Sequence, residues 1–548
     1  MNTVIAEQSI KTLNGAEITV KTLIDLGLTS VFGYPGGIVL DLYDELYKNQ
    51  DQITHYLVRH EQAAVHAAEG YARVSGRCGV VIVTSGPGAT NTVTGIANAY
   101  LDGYPLLVIT GQVKADLIGH DAFQEVNILD ITKSCTKGGF QVTNVKDLQK
   151  TLVMAHKLAT SGKKGPVVVD ISKNVFGEKT EYSETETEEF TLKDFLPSEF
   201  DIKTALNLLR RAKRPLIIAG GGGVRSKCTE ELVKFSNLLN APVVSTMMGL
   251  GAFPADSENF LGMIGIFGTE RANWAIKNSD VILSLGARLN DRITGCFGDG
   301  ELDGKIIQVD INPSEIGRNF SPVTGLVGDA KTVLAQMISG LQRNDFKPNS
   351  SKWWSTLSSQ KKVAYTEGGI STGMVVRTIS RLSEDARYYV TAEVGQHQVT
   401  TAREYGFKFG GQFIASCGSG TMGFGLPASI GASIADNRRP VICIAGDGSF
   451  QMNEQELATI VRYNLPVKIF IMNNGYLGMV RQLQEKNCGG RYYETEISNP
   501  DFVKLAQAYG VNACRVERAE ELEEKVKTAL NTEGCYIVDI LTEPFEVV

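Results

Sequence analysis

The sequence has no apolar run approaching the roughly 18 residues that a membrane-crossing helix needs. The stretch around Val80 to Val83 is typical of its longest. None of its nine cysteines forms a Cys-x-x-Cys pair, and the odd count fits reduced thiols rather than a disulfide framework. No charged segment followed by an apolar one opens the chain, so a cytoplasmic location is expected rather than secretion. Basic residues are not in excess: 54 lysines and arginines face 61 acidic residues, a formal charge of −7. That balance argues against nucleic acid or an anionic membrane as a partner. With 43% hydrophobic and 21% charged residues, the composition excludes disorder, collagen-like structure and low complexity. Glycine alone is in surplus, 57 of 548 residues against a usual level of about 7%. The surplus points to tight loops that bring backbone close to ligands. At roughly 150 residues per domain, the length predicts two to four domains, with cores large enough to need neither disulfide nor structural metal.

Two polar stretches read as linkers, Lys179 to Glu189 and Asn344 to Lys352. They divide the chain into three parts, each of one-domain size: 1–178, 190–343 and 368–548. Each part alternates short apolar runs with amphipathic helices. The runs are Gly79 to Thr84, Pro105 to Thr110 and Gly165 to Asp170, then Pro215 to Ala219, Val281 to Leu285 and Ile306 to Asp310. The third part has Pro440 to Ala445, Val467 to Met472 and Cys535 to Asp539. Continuous apolar runs bounded by Gly or Pro fit strands buried on both faces. Three doubly wound parallel α/β domains are expected, with ligands at the C-terminal ends of the strands. No sequence repeat accompanies the repeated architecture.

Two such strand ends carry chemistry. One apolar run leads into Gly446-Asp447-Gly448-Ser449, and the next ends in Asn473-Asn474. Glycines let backbone amides approach a diphosphate, while Asp447 and the Asn474 carbonyl are hard oxygen ligands suited to Mg²⁺. A lone Gly-Asp-Gly is usually a turn. Followed by Asn-Asn at this spacing, it resembles the thiamine diphosphate signature, in which the Asp, the second Asn and a backbone carbonyl, here that of Tyr476, hold Mg²⁺. Such enzymes also need a carboxylate against N1′ of the aminopyrimidine, and Glu61 in Arg59-His60-Glu61-Gln62, at the mouth of a strand His55 to Val58, could share a proton with that nitrogen.

Further stretches extend the resemblance over nearly the whole chain: Gly33 to Gly37, Thr84 to Asn91, Asp121-Ala-Phe-Gln-Glu125, Val394 to Gln398, Gly420 to Pro427 and Gly446 to Asn453. The chain resembles the catalytic subunits of the acetolactate (acetohydroxyacid) synthase family. That resemblance implies a pyrimidine-binding first domain, a FAD-binding-like central domain and a diphosphate-binding third domain. It implies Glu61 as the activating carboxylate, with Phe123 and Gln124 by the reacting centre. Arg292 resembles the arginine that receives the acceptor carboxylate, a role suited to a guanidinium fork. Pro35, Gly36, Gly86 and Asn91 would bind thiamine diphosphate from the first domain. From the third, Gly395, Gln396, His397, Gly420, Met422, Gly446, Asp447, Gly448, Ser449, Asn474, Tyr476 and Met479 would do so. Met422 would be the apolar residue that bends the cofactor. FAD, a structural remnant in this family, would touch Gly220, Gly221, Gly222, Thr246, Met247, Gly286, Arg288, Asp310, Ile311 and Asp329.

The implied reaction is loss of CO₂ from pyruvate and transfer of the acetyl unit to a second carbonyl. Departures from the family pattern concern the acceptor. Leu483 stands where the family has Trp, Lys114 for Pro, Ile38 for Ala, Gly138-Gly139 for His-Asn, Phe267 for His, Val399-Thr400 for Met-Trp and Asn290 for Asp. Two acceptors therefore stay open: a second 2-keto acid, or a larger ketone such as a nucleotide-linked keto-deoxysugar. Intact Glu61, Asp447 and Asn474 argue against a non-catalytic relative. The resemblance further implies a homodimer or homotetramer, since the two halves of the cofactor site come from different chains, and it leaves room for a regulatory small subunit.

Overall fold

The computed structural model describes residues 11–182, 195–295, 302, 305–343, 346–358 and 369–548. Among them are three six-stranded sheets, all parallel, and one antiparallel pair, Lys11–Asn14 with Lys179–Tyr182. The fold is α/β, as expected. Central strands such as Gly79–Val83, Val281–Leu285 and Val441–Gly446 are buried almost throughout. A strand covered by helices on both faces must be apolar at every position, which is the pattern these runs carry. All nine apolar runs form strands, with ends shifted by at most two residues. The stretches read as linkers differ in part. Lys179–Tyr182 is paired as a strand and the remainder of that stretch lies outside the described residues. Within the second stretch a helix, Ser351–Ser358, begins; Ser350 just ahead of it and Trp354 on it both donate to the carbonyl of Asn240.

The first and third sheets share one topology. Counting strands along the chain within each sheet, both run 2-1-3-4-6-5, whereas the middle sheet runs 3-2-1-4-5-6. The latter is the strand order of dinucleotide-binding sheets. In an open parallel sheet, ligands settle where the order reverses, at the strands' C-terminal ends. In the first sheet that point lies between Ser30–Tyr34 and Gly79–Val83, in the middle between Pro215–Ala219 and Val281–Leu285, and in the third between Tyr389–Ala392 and Val441–Gly446.

The first and third domains share a core. Helix Glu61–Ser75 packs along helix Gly425–Ala435, and one apolar cluster runs from Val81, Val83 and Val108 through Ile430 to Cys443, Ile469 and Ile537. Glycines permit the close approach. A Cβ on Gly70 would lie 2.1 Å from the Ala428 carbonyl oxygen. No helix among the described residues is long and apolar enough to cross a membrane.

Candidate active site

Three groups of side chains gather at the three reversal points. In the first sheet the chain leaves Ser30–Tyr34 through exposed Pro35 and half-buried Gly36, and leaves Gly79–Val83 through Thr84 to Gly86. Gly36 lies so close to Thr84 that a Cβ would stand 2.5 Å from its side chain. Gly86 has φ 60° and ψ −123°, a conformation open to glycine alone, and a Cβ there would lie 2.9 Å from Gln124. Glu61 opens helix Glu61–Ser75, which His60 caps by accepting from the Gln62 amide. Glu61 Oε2 accepts from Asn91 Nδ2 at 2.9 Å. The hydroxyls of Thr84 and Ser85 are buried without a hydrogen-bond partner, orphans of the kind a polar ligand would satisfy. Gln124 is half-buried, whereas Phe123 is 88% exposed in the single chain.

In the third sheet Gly446 pairs in register with Met472, so Asp447 and Asn474 emerge side by side. Asp447 Oδ2 accepts from the Gly475 amide and from Asn499 Nδ2, both at 2.8 Å, and Oδ1 from the Gly448 amide at 2.9 Å. Burial pushes its carboxyl above the usual range, against those hydrogen bonds. Asn474 Oδ1 accepts from the Tyr476 amide at 3.0 Å. A buried carboxylate, a side-chain amide oxygen and a nearby carbonyl are the hard-oxygen donors that Mg²⁺ takes together with phosphate. The donor set fits.

The surroundings fit a diphosphate. Cβ atoms on Gly446, Gly448 and Gly478 would lie 2.9 Å from His397, 3.0 Å from Leu477 and 2.2 Å from Gln396, so all three must be small. Met422 reaches toward Gly448, and Ser449 is buried one residue further. His397 Nε2 stands 3.4 Å from Glu393 Oε1, yet both atoms are buried without a hydrogen bond. Gln396 donates to Gln482 and to the Glu546 carbonyl. The hydrogen bonds of Glu61 and those of Asp447 stay within their own domains.

A cavity of about 740 Å³ lies where all three domains meet, well within the size range of cofactor pockets. Gly221, Gly222, Thr246, Met247, Gly286, Arg288, Asp310, Ile311 and Asp329 line it, as does Arg292, whose side chain is 70% exposed. Gly395, Gly420 and Met479 line its wall toward the third sheet. Gly220 does not reach it: a Cβ there would lie 2.3 Å from the Gly286 carbonyl, so this glycine serves the contact between two strand ends. Lys163, Lys164 and Arg225 also line the cavity, and the sequence reading missed them because they belong to no motif. Burial, aided by neighbouring arginines, holds both lysines below the usual range. Cations and tight glycine turns at the reversal point of a dinucleotide-type sheet fit the diphosphate of FAD.

The departures divide. Phe267, Asn290, Val399 and Leu483 line this cavity. Gly138 and Gly139 instead start the edge strand Gly138–Val142, against Leu158 and Leu129. Ile38 touches Gly111, and Lys114 is exposed ahead of a short turn of helix. Nothing in the structure explains Lys114.

Family models match all three domains: the thiamine pyrophosphate enzyme N-terminal TPP binding domain over residues 13–131, the central domain over 202–337 and the C-terminal TPP binding domain over 393–540. The sheets and the Mg²⁺-type donor set therefore define a thiamine-diphosphate-dependent enzyme. Among similar proteins, the acetolactate synthase large subunit of Haemophilus influenzae is 42% identical, over 98% of this chain and 96% of its own. The isozyme 3 large subunit of Escherichia coli is 43% identical over 94% of this chain and 92% of its own. A probable acetolactate synthase large subunit of Methanocaldococcus jannaschii is 41% identical over 97% and 93%. The chain belongs to the acetolactate synthase large subunits. It is a carbon–carbon bond-forming carboligase whose cofactors are thiamine diphosphate, Mg²⁺ and FAD. The larger-ketone acceptor is not favoured.

Proposed function

We propose that the chain decarboxylates pyruvate and joins the two-carbon unit to a second 2-keto acid, with 2-acetolactate as the main product. The observation that carries this reading is the matched pair of strand-end sites. Asp447 lies at the reversal point of one sheet, with Asn474 at the end of the adjoining strand, and Glu61 and Asn91 lie by the reversal point of a sheet of identical topology. Bound thiamine diphosphate supplies the electron sink for CO₂ loss. Asp447, Asn474 and the Tyr476 carbonyl would hold its Mg²⁺, and Gln396, His397, Gly420, Met422 and Met479 would line its site. Glu61, oriented by Asn91, would exchange the proton at N1′. Phe123 and Gln124 would close the reacting centre, and Arg292 would receive the acceptor carboxylate.

The 88% exposure of Phe123 supports a site completed by a second chain, so the least active assembly is a two-fold homodimer. A dimer of dimers and a small regulatory subunit, partner to a large one, follow in the same reading, as does a cytoplasmic setting. Leu483 on the cavity wall supports a roomy acceptor pocket. One methylene is worth only about 1–3 kcal/mol of discrimination, so preference for 2-ketobutyrate over pyruvate should be weak. Incubation with pyruvate, thiamine diphosphate, Mg²⁺ and FAD tests the proposal. Rapid accumulation of 2-acetolactate is expected; loss of pyruvate only when a bulky ketone is added contradicts it.

A further inference from the structure

Asp102 ends helix Val93–Asp102 and is almost fully buried. Its carboxylate accepts from Arg73 Nη2 at 2.6 Å and from the backbone amides of Cys417 and Gly418 at 3.2 and 2.7 Å. Its backbone carbonyl accepts from Arg225 Nη1 at 3.0 Å. Three domains meet on one residue. Arg73 belongs to the helix that Glu61 opens. Cys417 and Gly418 belong to a loop that walls the cavity, and Arg225, which ends the helix Gly221–Arg225, lines the same cavity from the middle domain.

The attachment is reinforced. Arg73 also donates to Glu69 at 2.5 Å, and the other Glu69 oxygen accepts from Asn98 Nδ2 at 2.8 Å. Asn98 Oδ1 in turn accepts from Ser416 Oγ at 2.5 Å and Thr421 Oγ1 at 3.1 Å. The loop is therefore tied to the first domain at both ends. Buried charges stabilise a fold no better than apolar side chains of the same volume would, and they cost heavily when one partner is lost. Such a cluster is suited to fixing geometry rather than to adding stability.

We propose that Asp102 is a positioning residue that couples the flavin cavity to the helix bearing Glu61, so that filling the cavity sets the thiamine site. This rests on reading the cavity as the FAD site and Glu61 as the activating carboxylate. Through Asp102, a flavin that orders Arg225 and the Ser416 to Gly420 loop also fixes Arg73, and with it the helix. Linkage is reciprocal: if flavin favours thiamine diphosphate, thiamine diphosphate favours flavin by the same factor.

The test is flavin affinity of the full-length protein, read by quenching of FAD fluorescence, with and without saturating thiamine diphosphate and Mg²⁺. The unaltered protein should bind FAD roughly 5-fold or more tightly when they are present. In Asp102→Asn that ratio should fall toward one while flavin still binds, and kcat should fall more than KM for pyruvate changes. Arg225→Gln, which cuts the tie to the middle domain and also removes a cation from the cavity wall, should weaken flavin binding and still lower the ratio if Asp102→Asn fails to fold, and Arg225→Lys should restore part of it. Full linkage in the variants that fold, or no linkage in the unaltered protein, overturns the proposal. Absence of any flavin binding in the unaltered protein instead overturns the cavity reading on which it stands.

Discussion

Gly431 rests against the carbonyl oxygen of Ala67, so close that a Cβ on it would stand 1.7 Å away. The contact joins the helix that begins with Glu61 to the third domain through backbone alone. Neither backbone can yield without moving a sheet. Gly431→Ala should therefore destabilise the protein by about 2 kcal/mol or more, at the upper end of overpacking costs. Thermal or denaturant unfolding checks this; a stability within error of the unaltered protein contradicts the packing described.

Acid should weaken the fold through buried imidazoles. His55 Nε2 lies 2.9 Å from the Tyr43 hydroxyl, and burial, with Arg462 nearby, pushes the imidazole down to about 4. His66, fully buried, is pushed down to about 3. Unfolded histidine takes up a proton near pH 6.5, so the unfolded chain binds more protons as pH falls from about 6.5 to 4. Stability is lost over that window, by about 3 kcal/mol for His55 alone. In His55→Gln, the difference in unfolding midpoint between pH 7.5 and pH 5 should shrink. An unchanged difference would mean that His55 does not carry the effect.

Glu61→Gln should lower turnover by at least about 100-fold, the usual scale for losing an acid–base group. Binding of thiamine diphosphate should persist, because the residues proposed to hold Mg²⁺ and the diphosphate lie in the other sheet. Full activity in this variant is incompatible with the mechanism.

Leu483→Trp should narrow the acceptor pocket. Competition between pyruvate and 2-ketobutyrate should then shift toward the larger acceptor, within the about 1–3 kcal/mol that one methylene can supply. A product ratio identical to that of the unaltered protein would remove Leu483 from the specificity wall.

Much of this was legible in the sequence, and what was not has a physical reason. Pro215–Ala219 is buried from end to end and Val281–Leu285 at all but its first residue, and so both read as strands with the right bounds. The edge strand Gly138–Val142 alternates in burial and opens with two glycines, which denies it apolar continuity. The strand order, and hence the match between the first and third sheets, is a property of pairing that no local pattern records. Asp447 and Asn474 could be found because spacing along two adjacent strands fixes them. Asp102, Lys163 and Arg225 could not: they become a unit only when three domains close around one cavity. In sequence Gly220 reads as a ligand contact, because a glycine run looks alike whether it faces a phosphate or another backbone.

The central claim is that Glu61 and Asp447 serve one active site contributed by two chains. Mixing inactive Glu61→Gln with inactive Asp447→Ala under conditions that exchange subunits tests it directly. In a two-fold dimer each mixed pair holds one intact site, so 2-acetolactate formation should return to about a quarter of the unaltered rate when the two variants are mixed equally. Recovery of that size is the predicted result; no recovery, with subunit exchange verified, would place both residues in a site built by a single chain and contradict the account.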